Sequence, residues 1–181
     1  MPIGQAKFGL LGGVVDPGKL ELIETKVASG IGAVEFTDIK EDIYNVHFMT
    51  VSLTESTSAL VTRISNNGGT SFISSGYQYA GQYGNVSGTF GEDKGTSKTV
   101  FVEGGSGGSG LAKNQYVYMY NLGDSTKYSF STSHHFSEHP SLGHYMAFYS
   151  SVYTTAEINN AIQVGATSIT GSVSLYGIAE S

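Results

Sequence analysis

Tyr44-Asn-Val-His-Phe-Met-Thr-Val-Ser-Leu53 is the stretch on which the fold turns. Its apolar side chains fall into two sets with a period of two: Val46 and Phe48 on one face, His47, Met49, Val51 and Leu53 on the other. Successive strand residues point to opposite faces, so this is a strand, and apolar residues on both sides mark it as covered. The next run sets Leu60, Thr62 and Ile64 against Ala59, Val61 and Arg63, then stops at Asn66-Asn-Gly-Gly69. Asn and Gly tolerate positive φ, so a hairpin is predicted there, with its return strand over 72–79.

Working outward, short β-type runs recur at 33–37, 98–102, 115–120, 127–132, 145–149 and 172–176, separated by turn residues. In the last of these, Val173 and Leu175 face one way and Ser172, Ser174 and Tyr176 the other. Residues 155–164 fit one helical turn through Ile158, Ala161 and Ile162, or a strand through Ile158, Asn160, Ile162 and Val164; the strand is preferred. Long amphipathic helical patterns are lacking, so the expected fold is all-β: an antiparallel β-sandwich, jelly-roll-like, with a short N-terminal arm. The arm is read as residues 1–28, for anchoring or oligomer contact, because Ile3, Phe8, Leu10, Leu11, Val14 and Val15 sustain neither period and call for a partner surface. The sandwich is read as residues 29–181.

Composition agrees. The 181 residues suit one domain, and the absence of Cys removes thiolate catalysis, Cys-type metal sites and disulfides. Charged residues make only 13%, against 25 Gly, 12 Tyr and 9 Phe, which argues against a helical bundle. A net charge of -6 has the wrong sign for tracking phosphates, so no nucleic acid is expected as partner. No apolar run approaches the roughly 18 residues of a membrane span, and the opening lacks the basic start and apolar stretch of a secretory signal. The expectation is a soluble chain without membrane insertion.

Several motifs invite chemistry. Gly105-Ser-Gly-Gly-Ser-Gly110 spells a dinucleotide fingerprint, but that chemistry needs a helix N-terminus behind it, and strand-like Tyr116-Val-Tyr-Met-Tyr120 follows; it reads as a loop. His135-Phe-Ser-Glu-His139 matches an H-x-x-E-H zinc motif, which works on a helix face, whereas Pro140 disfavours helix immediately after His139. With His134 and His144 it reads as a polar loop, titrating below about pH 6.5. Asp38, Glu41 and Asp42 in one turn and Glu92 and Asp93 in another are acids of the kind used in glycoside hydrolysis, at a spacing typical of solvated turns. Tyr77, Tyr79 and Tyr83 could stack on sugars, or fill a core as sandwich tyrosines more often do. Asn85-Val-Ser87 is a sequon that matters only in a eukaryotic secretory pathway. No catalytic, cofactor-binding or metal residues are assigned, no cofactor is expected, and the protein is not expected to be an enzyme.

The order of several segments resembles a domain recurrent in tail-fibre and other virion proteins of tailed bacteriophages, notably marine and cyanobacterial ones. The segments are Leu20-Glu-Leu-Ile-Glu-Thr-Lys-Val-Ala-Ser29 leading into Val34-Glu-Phe-Thr-Asp-Ile39, then Arg63-Ile-Ser-Asn-Asn-Gly-Gly-Thr-Ser71 before Tyr77-Gln-Tyr-Ala80. Ile169-Thr-Gly-Ser-Val-Ser-Leu-Tyr-Gly-Ile178 is the most specific mark, and the Gly-rich opening from Gln5 to Gly13 is similar to the starts of such proteins. The resemblance implies a jelly-roll-like sandwich on the virion surface, made in the bacterial host cytoplasm. It implies a homo-oligomer, trimer favoured, joined to other virion proteins through the N-terminal arm and contacting a host surface glycan. With so little chain before the sandwich, a compact fibre tip, spike or capsid decoration protein fits better than a full-length fibre.

Overall fold

The computed structural model describes residues 19–55, 59–103, 111–139, 141 and 143–179. Two long strands carry the architecture, β1 (Leu20–Phe36) and the last strand, β10 (Ala161–Ile178), antiparallel along nearly their whole lengths. Between them in sequence come β2 (Val46–Glu55), β3 (Val61–Ser65), β4 (Tyr77–Asn85), β5 (Phe90–Lys98), β6 (Val102–Glu103), β7 (Leu111–Tyr120), β8 (Ser129–His139) and β9 (Gly143–Tyr153). The hydrogen-bonded order is β5-β4-β9-β8-β7-β2-β10-β3-β6, every pair antiparallel, with β1 on β10.

The sheet folds into a sandwich because β10 changes neighbours. Its first residues, Ala161 to Gly165, pair with β3, and Ile169 to Ile178 pair with β2. Bulges in β1 between Ser29 and Ala33 match that corner. Gly171 follows it at φ +132°, where a Cβ would strike the Ser52 carbonyl of β2. No L side chain occupies that position without strain.

The core lies between the two layers. His47, Met49, Val51 and Leu53 line the inner face of β2, with Val117 and Met119 from β7 and Val173 and Leu175 from β10. Ile64, Phe101, Ile162 and Val164 meet them from the other layer. Each fully buried aliphatic or aromatic side chain contributes on the order of 2 kcal/mol by leaving water. Two polar side chains in this region are held by backbone groups. Tyr77 Oη donates to the Ile73 carbonyl at 3.1 Å and accepts from the Ile64 amide at 3.4 Å. His47 Nε2 lies 2.8 Å from the Ile39 carbonyl, which can only accept, so the imidazole carries its proton on Nε2.

The all-β, antiparallel, jelly-roll-like sandwich is as expected, but several elements differ. Leu20 to Ala28, read as the end of an arm, form the first half of β1; the rest of the expected arm, 1–18, lies outside the described residues. The first strand is therefore 17 residues long, not the five at 33–37. The turn at Asn66 to Gly69 exists, with Gly68 and Gly69 at φ +70° and +84°, but it closes no hairpin. Its return strand begins only at Tyr77 and crosses to pair with β5 and β9, while β3 pairs with β10 and β6. Residues 155–160 are loop, and the strand begins at Ala161. The histidine-rich segment is no loop: His134, His135 and His139 lie on β8 and His144 on β9.

Candidate functional site

The outer face of β10, β2, β7, β8 and β9 carries rows of aromatic side chains. Cross-strand partners place Tyr176, Phe48, Tyr118 and Thr132 in one row, and Thr50, Tyr116, His134 and Phe148 in the next. A third row runs Ser52, Asn114, Phe136, Met146 and Gly84, ending at Phe90 on β5. Phe148 and Phe136 are 50% exposed and Tyr116 41%. Among the described outward positions of these five strands, Glu138 alone is an Asp, Glu, Lys or Arg.

The rings are not independent. His134 stacks on Phe148 with centroids 3.8 Å apart and planes 20° from parallel, and leans on Phe136 at 4.3 Å. Its Nδ1 lies 3.0 Å from Tyr116 Oη. Phe48 packs on Tyr118 at 4.8 Å and on Tyr176 at 6.0 Å. Desolvation among these rings pulls the His134 pKa below its ordinary value, so the patch stays neutral at pH 7.

At the rim of this face, the β4–β5 hairpin and the β8–β9 end enclose a groove of about 510 Å³. Phe90, 76% exposed, faces it with Phe136 and Met146, and Asn114, Glu138 and His144 supply polar groups. Gly84 forms its floor, where a Cβ would stand 2.9 Å from the Phe90 ring. At the hairpin tip, Asn85 Oδ1 accepts from the Ser87 amide at 3.0 Å and the Thr89 amide at 3.3 Å, so the sequon asparagine is a turn residue.

The opposite, inward face of the same strands is polar at this end. Ser131, Ser133, His135 and Ser137 of β8 are buried, with Tyr145 and Tyr149 of β9 lying over them. His135 is 1% exposed, and neither ring nitrogen has a hydrogen-bond partner among the described residues. Burial first, then the Lys113 charge and His134, hold its pKa down at about 4. The titration expected of these histidines near pH 6.5 therefore shifts to lower pH for His134 and His135, because the segment is packed strand rather than open loop.

A charged cluster closes the sandwich beside them. Tyr79 Oη on β4 lies 2.6 Å from Glu103 Oε2 on β6 and 3.0 Å from Asp93 Oδ2 on β5, and accepts from Lys98 Nζ. One phenolic proton serves two carboxylates, and Lys98 offsets their charge. Burial, then the bonds to Glu103 and Asp93, push Tyr79 ionisation far above its usual range.

Of the residues that the sequence brought forward, Tyr77 and Tyr79 are buried and Tyr83 half-buried, all facing inward with the core tyrosines. Glu92 and Asp93 lie on strand β5, not in a turn, and point to opposite faces, so they form no hydrolytic pair. Asp38, Glu41 and Asp42 sit in a turn where Lys40 Nζ holds Asp38 at 2.7 Å. His135 and His139 share a strand rather than a helix face, and no group of three metal-ligating side chains occurs among the described residues. The Gly105 to Gly110 loop lies outside the described residues. The aromatic face itself escaped the sequence reading. Its signal was alternation with the apolar set outward, in Phe130, Thr132, His134 and Phe136 against Ser131, Ser133, His135 and Ser137.

Fold and surface together define a jelly-roll-like β-sandwich with one neutral, ring-bearing sheet face. Comparison with protein families, curated proteins and solved structures found no match.

Proposed function

We propose that the protein is a structural component of a tailed-phage virion, a compact tail-fibre or spike-type subunit displayed on the particle. The observation that carries the assembly part of this reading is the neutral aromatic face. A sheet face with exposed phenylalanines and a single formal charge is costly in water and is matched to burial against protein. The virion part rests on the resemblance of the segments from Leu20 to Ile178. In this reading the anchoring role expected of residues 1–28 falls to the segment before β1, which joins other virion proteins, and the sandwich forms the homo-oligomer. The work is done by assembly and surface contact, without a reaction.

The test uses particles from cells that produce the chain. Antibody raised against the folded protein is expected to label intact particles, with gold at the tail tip or tail surface. Label on the head would make it a capsid decoration protein instead. Antigen that stays in the supernatant when particles are pelleted would overturn the virion reading.

A second reading, a glycan-binding module, is favoured by the groove. Exposed Phe90 and Phe136 rings offer faces for sugar C–H groups, and Asn114, Glu138 and His144 offer partners for hydroxyls. Calorimetry with neutral oligosaccharides against the parent and Phe136→Ala tests it, and no heat from either protein would sink it.

A further inference from the structure

We infer that the neutral aromatic face is where one copy of this chain packs against another, centred on Phe148, His134 and Tyr116. The inference rests on the assembly reading above and names the partner of the same surface.

Size is the first argument. Phe130, Phe136, Phe148, Tyr116, Met146 and Phe90 are all exposed by more than a third, and Leu20 and Leu22 of β1 continue the face beyond Tyr176 and Ile178. With about 150–250 Å² for a whole aromatic side chain, the exposed parts amount to on the order of 800 Å². A typical monomer's largest apolar patch is about 300–600 Å², and a standard interface takes about 800 Å² from each partner. The face is thus large enough to be one complete half of a specific interface.

Charge is the second. The chain carries a net charge of -6, so copies repel each other in general. Across the outward positions of β10, β2, β7, β8 and β9 that repulsion is weak, because Glu138 is their one formal charge and stands at the rim, and beyond them on β5 the outward Glu92 and Lys94 beside Phe90 are of opposite sign. A surface without a charge pattern is complementary to itself, as a symmetric contact requires. A strongly charged partner would find little counter-charge there.

The sheet edge supplies the third. Copies could instead join by pairing β1 to β1, since among the described residues β1 pairs with β10 alone. That edge is guarded: register shifts break it at Leu22/Glu24, Ser29/Ile31 and Ile31/Ala33, and Glu21, Glu24, Lys26 and Glu35 punctuate it. The two ends of the strand order are poor edges as well: β6 is two residues long, and β5 carries Glu92, Asp93 and Lys94. Face-to-face stacking, with rings interleaved between sheets about 10 Å apart, is the contact the fold favours.

The test is sedimentation velocity on the full chain from about 1 µM to about 100 µM, a range that brackets micromolar dissociation constants. Phe148→Glu and Tyr116→Glu place a carboxylate on the face, and Ile43→Glu changes an exposed apolar residue outside it. The parent is expected to gain mass with concentration. Each face variant should weaken association at least about 30-fold, the loss typical of a central interface residue, and Ile43→Glu should leave it unchanged. Circular dichroism melts confirm that the variants are folded. A parent that stays monomeric over the whole range overturns the inference. Association that survives both face variants also overturns it, while leaving the virion reading intact, since copies would then meet elsewhere. The particle-labelling result decides that reading independently of any mass measured here.

Discussion

Replacing His135 by Phe should make the protein more resistant to acid. In the folded state the imidazole is fully buried between the nearly parallel rings of Tyr145 and Tyr149, 5.6 and 5.9 Å away, with no hydrogen-bond partner for either nitrogen among the described residues. Its pKa is near 4 folded against an ordinary 6.5. Above pH 6.5 the ring is neutral in both states and titration costs nothing. As pH falls from 6.5 towards 4 the unfolded chain takes up the proton and the folded one does not, so stability drains away at about 1.4 kcal/mol per unit. The total by pH 4 is about 3 kcal/mol, which is a large fraction of a typical domain's stability. Phe keeps the stacking and removes the titration. Urea unfolding at pH 7, 6, 5 and 4, followed by tyrosine fluorescence since the chain has no Trp, measures the difference. His47 is also held below its ordinary pKa by burial, but it stays in both proteins and cancels. Parent and variant losing the same stability between pH 7 and pH 4 would refute the reasoning.

Other substitutions probe the frame. Gly171→Ala forces a side chain into φ +132° and against the Ser52 carbonyl, and should cost about 2–3 kcal/mol in chemical denaturation. Phe101→Ala empties a fully buried ring site between the layers and should cost about 3–5 kcal/mol, read in the same assay. Tyr79→Phe removes the hydroxyl shared by Asp93, Glu103 and Lys98 while keeping the ring, and should cost about 1–2 kcal/mol. A Tyr79→Phe protein as stable as the parent would show that water replaces the hydroxyl at no cost.

What the sequence disclosed follows from which way each strand turns its apolar side. In β2 and in the second half of β10 one set faces inward, and His47, Met49, Val51, Leu53, Val173 and Leu175 are all buried as alternation foretold, whereas Val46 and Phe48, expected to be covered too, are half-exposed on the outer face. In β8 the sense is inverted: Ser and His go in under the tyrosines of β9, and Phe130 and Phe136 come out. A rule that puts apolar residues inside reads such a strand, here the His134 to His144 segment, as a polar loop. The β5 strand, with Gly91, Gly95, Glu92, Asp93 and Lys94, has poor strand composition and is held instead by its ladder to β4. The first half of β1 has no local signal of a strand, because its partner lies at the other end of the chain, in β10. The alternation of β8 marks its own outward rings, but their union with those of β2, β7, β9 and β10 into one face depends on the lateral order of five strands, which no local pattern encodes.

That distant partnership sets the timing of folding. The strand that β1, β2 and β3 all pair with is β10, spanning 161–178, so a chain growing on the ribosome holds three strands whose shared neighbour is not yet made. Contacts of such sequence separation close slowly, on a scale of milliseconds to seconds for β-sandwiches. Until β10 arrives, Val34, Phe36, Met49, Val51 and Ile64 have no complete core to enter, and the nascent chain is at its most prone to aggregate. Yield of the folded protein should therefore be governed by the interval between synthesis of Ser65 and of Ile178, and slow translation late in the message should lower it.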